Sequence, residues 1–411
     1  PLQTHGALSW SDLPVSWAQP WLGIDMMNNI TLQGRAQWRM DQDLNLSVTA
    51  ERSHGDLHIK TDSASDQSTA AGLRHAKVFL RVQNEQLVAE LNWDSAQMGQ
   101  AQAQLKSQLS RTPDGWQWPN QAPLSGSVKA SLPQIGAWSV LAPPGWRVQG
   151  TLDANLTLNG TRNQPQWQGR LQADQLAARS AVQGIEFSQG QMQARLQGQS
   201  LVLERLSLRG AGAQGGELQA RGQVQFKTAP GAPAGSLQNP LRTADLALQI
   251  EAKNLRVSNR ADRRLSVSGD VTARMAQGQL QLRGGLKADQ ALFILPDDST
   301  PSLGDDVVVF RPGMGELNVS ALSAPPDPNA SSGSWLGVPD VRVMLDLGQD
   351  FQLQGQGLVT RLTGQVELLS NASTRGQPRL SGQVRTEGGR YKAYGQQLNI
   401  ETGVLRFNGP Y

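Results

Sequence analysis

The sequence predicts an all-β chain: one long, mostly antiparallel sheet curled lengthwise into a half-pipe with an apolar interior and few short helices. Three observations predict it. Apolar side chains recur at every second position in run after run, turn residues separate those runs about every 8–12 residues, and helical periodicity is almost absent.

Taken in chain order, the runs begin with Leu44, Leu46, Val48 and Ala50. Leu152, Ala154, Leu156 and Leu158 follow, then Leu218, Ala220, Val224 and Phe226, then Leu246, Leu248, Ile250 and Ala252. Leu265, Val267, Val271 and Ala273 make the next run, and Val341, Val343, Leu345 and Leu347 another, extended by Phe351 and Leu353. Leu358, Leu362, Val366 and Leu368 come after these, and Leu398 with Ile400 close the series. Alternation of this kind places one set of side chains on each face of a strand, so these residues are expected to line one apolar face while Gln, Arg and Ser occupy the other. Between the runs stand "AQGQ", "LNG" and "GQDFQ", which supply turn chemistry. The helical candidates are short: 132–142 ("LPQIGAWSVLA") and 97–109, rich in Ala and Gln.

A sheet with one apolar face must hide that face, and no helices are predicted to cover it. Roughly 25 strands at about 4.8 Å each would make a sheet about 120 Å long, well past the size at which open twisted sheets stay flat. Curling into a gutter satisfies the pattern. A β-bulge is expected at Glu204 and Arg205, between Leu203 and Leu206, because a simple alternation there would flip the register.

Composition narrows the function classes. The apolar fraction is 38% without the 43 glycines, aromatic residues make 5% and charged residues 17% of the 411-residue chain. A formal net charge of +3 with no run of five like charges gives no reason to expect a nucleic-acid partner. With no cysteine, disulfides and thiol chemistry are excluded, which suits an envelope compartment. No stretch of 18 apolar residues is present. Pro1 onward has neither a basic signal opening nor an initiator Met, so the chain is read as cut from something longer.

Candidate chemistry is thin. Gly210, Gly212 and Gly215 satisfy a G-x-G-x-x-G pattern, but the following "GELQARGQVQF" alternates as a strand where a dinucleotide site needs a helix, so a turn is expected. His54 and His58 bracket Asp56, with Gly55 between them and a strand beginning, which reads as a polar turn rather than a metal pair. Asp297, Asp298, Asp305 and Asp306 lack calcium-loop spacing. The tryptophans, among them Trp10, Trp17, Trp21, Trp38, Trp116, Trp118, Trp138 and Trp146, are expected to seal seams where the strand rhythm breaks. No catalytic constellation, cofactor or metal is expected, and the chain is read as a non-enzyme.

Two stretches share the frame Gln-Pro-x-apolar-x-Gly-x-apolar, "NQPQWQGRLQAD" at 163–174 and "GQPRLSGQVRTE" at 376–387, which marks a repetitive build. The segment "GGRYKAYGQQLNIETGVLRFNGP" then gives a resemblance: Tyr391, Tyr394, Gly395, Gly403, Phe407, Gly409 and Pro410 are similar to the closing part of the TamB family, AsmA-like envelope proteins. "NRADRRLSVSGDV", "ALFILPDDSTPSLGDDVVV" and "VMLDLGQDFQLQGQGLVTRLTGQV" resemble the same family. The resemblance implies a taco-shaped groove, with 145–411 as the C-terminal groove domain and 1–144 as an upstream segment with Trp-rich insertions. It also implies a periplasmic location, an upstream inner-membrane anchor and a TamA-type outer-membrane barrel partner. On this reading the groove shields phospholipid acyl chains between the two membranes. The alternative is a scaffold whose strand edges assist outer-membrane barrel assembly.

Overall fold

The computed structural model describes residues 4–18, 29–41, 43–60, 68–113, 115–136, 146–180, 184–226, 244–276, 278–296, 338–374 and 377–409. The strands are β1 Thr4–Pro14, β2 Thr31–Met40, β3 Leu44–His54, β4 His58–Lys60, β5 Ser68–Ala70, β6 Leu73–Gln83, β7 Gln86–Ser95 and β8 Gly99–Gln108. Next come β9 Ser110–Thr112, β10 Gly115–Gln117, β11 Ser125–Leu132, β12 Trp146–Gly160, β13 Pro165–Ser180, β14 Ile185–Gly198, β15 Ser200–Gly210 and β16 Glu217–Gln225. The rest are β17 Asp245–Asn259, β18 Arg263–Ala276, β19 Gln279–Ile294, β20 Asp340–Asp346, β21 Phe351–Gly355, β22 Leu358–Ser370, β23 Arg379–Ala393, β24 Gln396–Asn399 and β25 Thr402–Gly409.

Twenty-one of these strands form one sheet, and β4–β5 and β9–β10 are separate two-stranded ribbons. Through β19 every pairing in the sheet is antiparallel and joins neighbours in the chain, apart from the two ribbons that are skipped. The predicted all-β, mostly antiparallel curled sheet is therefore what the chain forms. One break was not foreseen: β20 and β21 both run parallel to β19, before β22 and β23 resume the antiparallel order.

Bulges bend the sheet. Register shifts fall at Trp10/Leu13, Ala173/Leu176, Ser188/Gln191 and Ala252/Leu255, and beside them Asp12, Gln175, Gln189 and Asn254 take left-handed φ values of 57°, 53°, 51° and 48°. Each such insertion sharpens the local twist. The expected bulge is present too: Leu203 and Leu206 lie opposite Gly222 and Ala220, so Glu204 and Arg205 face Arg221 alone and both point to solvent. Along one edge the strand ends draw together, with Asn259 donating to the Gly184 carbonyl and Arg256 to the Gly215 carbonyl, each at 2.9 Å.

Residues 97–109 do not form a helix; Gly99–Gln108 is strand β8. Ala and Gln have good helix propensity, but their strict alternation puts Ala101, Ala103 and Leu105 on one face between β7 and β11, and pairing on both sides outweighs propensity. Of the candidate at 132–142, Leu132 ends β11 and residues 137–142 lie outside the described residues. Among the described residues there are short 3-10 turns and no α-helix.

Candidate binding face

Residues directly opposite one another on paired strands point to the same side, so the registers can be followed across the sheet. One row starts at Trp10 and passes through Gly34, Ala50, Val78, Leu91, Ala103, Val128 and Leu156. It continues through Gly169, Leu196, Leu201, Val224, Leu246 and Met275 to Leu280, and no member is polar. The reverse face is the opposite in character. Its row runs Gln33, Glu51, Lys77, Asn92, Gln102, Lys129, Asn155, Arg170, Arg195.

The apolar face crosses the parallel joint without interruption. From Leu132 a second row passes Leu152, Ala173, Met192, Leu206, Ala220, Ile250 and Val271, then Gly284, Val343, Leu368 and Leu380. A third goes from Leu208 through Leu218, Ala252, Gly269, Leu286, Leu345, Val366 and Gly382 to Phe407.

The residues singled out in the sequence share this face. Leu158 pairs with Trp167, Leu248 with Ala273, Leu265 with Ala291, Val267 with Leu255, and Val341 with Leu282. Phe351 pairs with Leu362, Leu353 with Thr360, and Leu358 with Tyr391, which pairs in turn with Leu398. Phe226 lies one residue past β16, Leu347 sits in the turn after β20, and Ile400 donates its N–H to the Gly389 carbonyl between β24 and β25.

Over β12–β19 the described residues form no second layer on this face. Leu152, Leu156, Leu196, Leu201, Val224, Leu246, Leu248 and Ile250 are all half-buried, while Leu158, Leu255, Val267 and Met275 on the same face are buried. Strands of up to 16 residues cross the trough, an arc of about 50 Å at about 3.3 Å per residue.

The far end differs. β20 and β21 are separated by residues 347–350, where Gly348 has φ 65° and lies against the Ala288 carbonyl. Only Thr363 and Gly364 span the same stretch on β22, so the sheet turns a corner there. Inside the corner Leu362, Val366 and Val384 are 8%, 5% and 4% exposed, with Leu345, Leu347, Phe351, Leu353, Leu380 and Phe407 packed on them. The Phe293 and Phe351 rings stack at 5.3 Å across the joint. The Arg283 guanidinium bridges the same joint, donating to the Asp340 carboxylate and, at 2.8 Å, to its carbonyl, and holds that carboxyl below the usual range. Asp346 accepts from Gly348 N–H at 2.8 Å and Gln365 Nε2 at 3.1 Å, which lowers its pKa likewise.

Of the residues carrying the family resemblance, Tyr391 is on the apolar face and Tyr394 and Gly395 make the β23–β24 turn with φ 51° and 76°. Gly403 lies opposite Thr386, Phe407 opposite Gly382, and Gly409 opposite Leu380; Pro410 lies outside the described residues.

Other candidates resolve into structural roles. The 210–216 glycines form the turn between β15 and β16. Asp56 accepts backbone N–H bonds from Leu57, Gly72 and Leu73 at 2.7, 2.8 and 3.0 Å; burial pushes its pKa up, but these donors and Arg52 outweigh that and the net shift is downward. It thereby ties down a small edge core of Ile30, Leu57, Ala71, Leu73 and Met98 that period reading missed. His54 is an exposed partner of Asp12 at 3.3 Å. The four acidic residues of 297–306 lie outside the described residues, as do Trp21 and Trp138.

Trp118 does seal a seam, its Nε1 donating to Ser107 Oγ at 2.8 Å under the Arg162 guanidinium. Trp10 and Trp38 do not. They lie within strands, flat over Gly34 and Gly6, where any Cβ would come within 2.4 Å of the ring.

Comparison with known proteins adds what geometry does not. A family model described as the TamB C-terminal domain matches residues 204–411, and one described as the TamB N-terminal domain matches residues 3–173. The translocation and assembly module subunit TamB of Haemophilus influenzae is 30% identical over 167 residues, 39% of this chain and 12% of that protein. The chain thus spans about an eighth of that relative's length. No solved structure matches.

Proposed function

This chain belongs to the TamB family, and from that premise we propose that its apolar face is a trough that carries phospholipid acyl chains through the periplasm between inner and outer membranes. The single observation behind this is the unbroken apolar row from Trp10 to Leu280, which no second layer of the described residues covers over β12–β19. Each methylene kept from water is worth about 0.8 kcal/mol, so a face of this kind has a large incentive to be covered by hydrocarbon. Head groups would ride at the open lip in solvent, where no cofactor or nucleophile is required. In the whole protein the trough would act within a translocation and assembly module, with an inner-membrane anchor and a TamA-type barrel at the outer membrane.

The packed corner decides where to look. Leu345 rests on the buried Leu362–Val366–Val384 core, so a probe there would report on folding as much as on lipid. Leu248 is the cleaner position. A photo-crosslinking residue at Leu248, compared with one at the outward-facing Gln249, is expected to give phospholipid adducts at Leu248 alone when the protein is purified from the periplasm. Adducts with polypeptide strands in place of lipid would favour a scaffold for barrel assembly. No adduct at Leu248, or equal adducts at both positions, would overturn the reading.

A further inference from the structure

The corner carries an inference that rests on the trough reading and goes past it. We propose that β20–β23 form a closed gate in the trough, which acyl chains pass only when the corner opens. The apolar lane leads straight into it, since Val343 lies opposite both Gly284 and Leu368. On the β12–β19 side Leu152, Leu156, Leu246, Leu248 and Ile250 are half-buried and the buried Leu158, Leu255 and Met275 join no core cluster among the described residues, whereas at the corner the same rows end in contacts with one another. Lipid and side chain compete there for the same surface. Because hydrocarbon covers an apolar side chain about as well as another side chain does, an acyl chain can replace the packed contacts at little net cost.

The joint beside the corner is built to give way. β20 and β21 offer β19 only short parallel ladders of 7 and 4 residue pairs, interrupted by residues 347–350. Parallel ladders are slightly weaker per residue than antiparallel ones. Two side-chain pins hold the joint, Arg283 on Asp340 at one end and Phe293 on Phe351 at the other.

The chain has no cysteine, so single-cysteine variants report without background. In the intact protein, Val384→Cys and Leu248→Cys would each be treated with a water-soluble maleimide, with and without vesicles of phosphatidylethanolamine and phosphatidylglycerol. Without lipid, Cys at 384 should react on the order of tenfold more slowly than Cys at 248. With lipid the two should move in opposite directions, 248 becoming protected and 384 faster. Fast reaction at 384 without lipid would show that the corner is not closed. Slow reaction at 384 that persists while 248 is protected would make the corner a permanent core and end the gate proposal, leaving the trough intact. Absence of lipid protection at 248 would instead overturn the trough, and the gate with it. Val366→Cys repeats the test at a second buried position should the first variant unfold.

Discussion

The strands β12–β19 and the corner at β20–β23 are made of the same material, apolar residues at alternate positions on one face of one sheet, yet they bury it differently. In the first, Leu156, Leu201 and Leu246 are half-buried and the buried Leu255 and Met275 belong to no core cluster among the described residues; in the second, Leu362, Val366 and Val384 pack into one cluster with their own neighbours. The difference lies in the turn at Gly348 and the change of strand direction beside it. Period two determines which face is apolar, and the path of the backbone determines whether that face packs on itself.

The largest test of the contrast is a carboxylate placed in each region. Val384→Asp should cost about 3–5 kcal/mol through an unpaired buried charge and unfold the C-terminal strands, whereas Leu248→Asp, half in solvent, should cost about 1 kcal/mol and abolish lipid adducts in a folded protein. Denaturant titration followed by hydrogen exchange separates the two. Equal costs would mean that the trough is packed as well.

Gly382→Val should disrupt the corner alone, by about 1–3 kcal/mol, because φ is 140° and the Gln365 carbonyl lies 2.4 Å from any added Cβ. Proteolysis confined to β22–β25 would confirm it. Truncation of a methyl-rich side chain gives a smaller ratio: Leu362→Ala is expected to cost about 2–4 kcal/mol and Leu156→Ala about 1 kcal/mol, read from urea midpoints.

The smallest effect is one of pH. The folded pKa of Asp346 is lowered, first by the Gly348 N–H and then by Gln365, so its stabilisation of the turn is complete above the ordinary value of 3.8 and is lost as pH falls through the lower folded value. Acidification from about pH 6 to about pH 3 should therefore lower amide protection, measured against the intrinsic exchange rate at each pH, more in β20–β22 than in β12–β15. Asp346→Asn should remove the part of that difference due to the turn and leave the part due to the Asp340–Arg283 pair.

How much of this was legible in the sequence follows from range. Alternation is local, so the facing of Leu152, Val224 and Ile250, and even the bulge at Glu204 and Arg205, could be read from neighbours alone. The corner could not be, because its burial depends on β20 returning parallel to β19, a pairing between residues such as Leu286 and Leu345 that no window of sequence connects. Propensity misled at 97–109, where Ala and Gln are held extended by strands on both sides. The ring-over-glycine pairs of Trp10 with Gly34 and Trp38 with Gly6 were missed for the same reason, each glycine being meaningful only in the partner strand.

Most strands in this sheet touch only the strands on either side. In mechanical terms the molecule is a zipper of nearly independent teeth, in which stability accumulates pair by pair. Heating should then release it in patches from its weakest seam outward, and lengthening it by a hairpin should extend its reach by about 10 Å while leaving every existing tooth as it was.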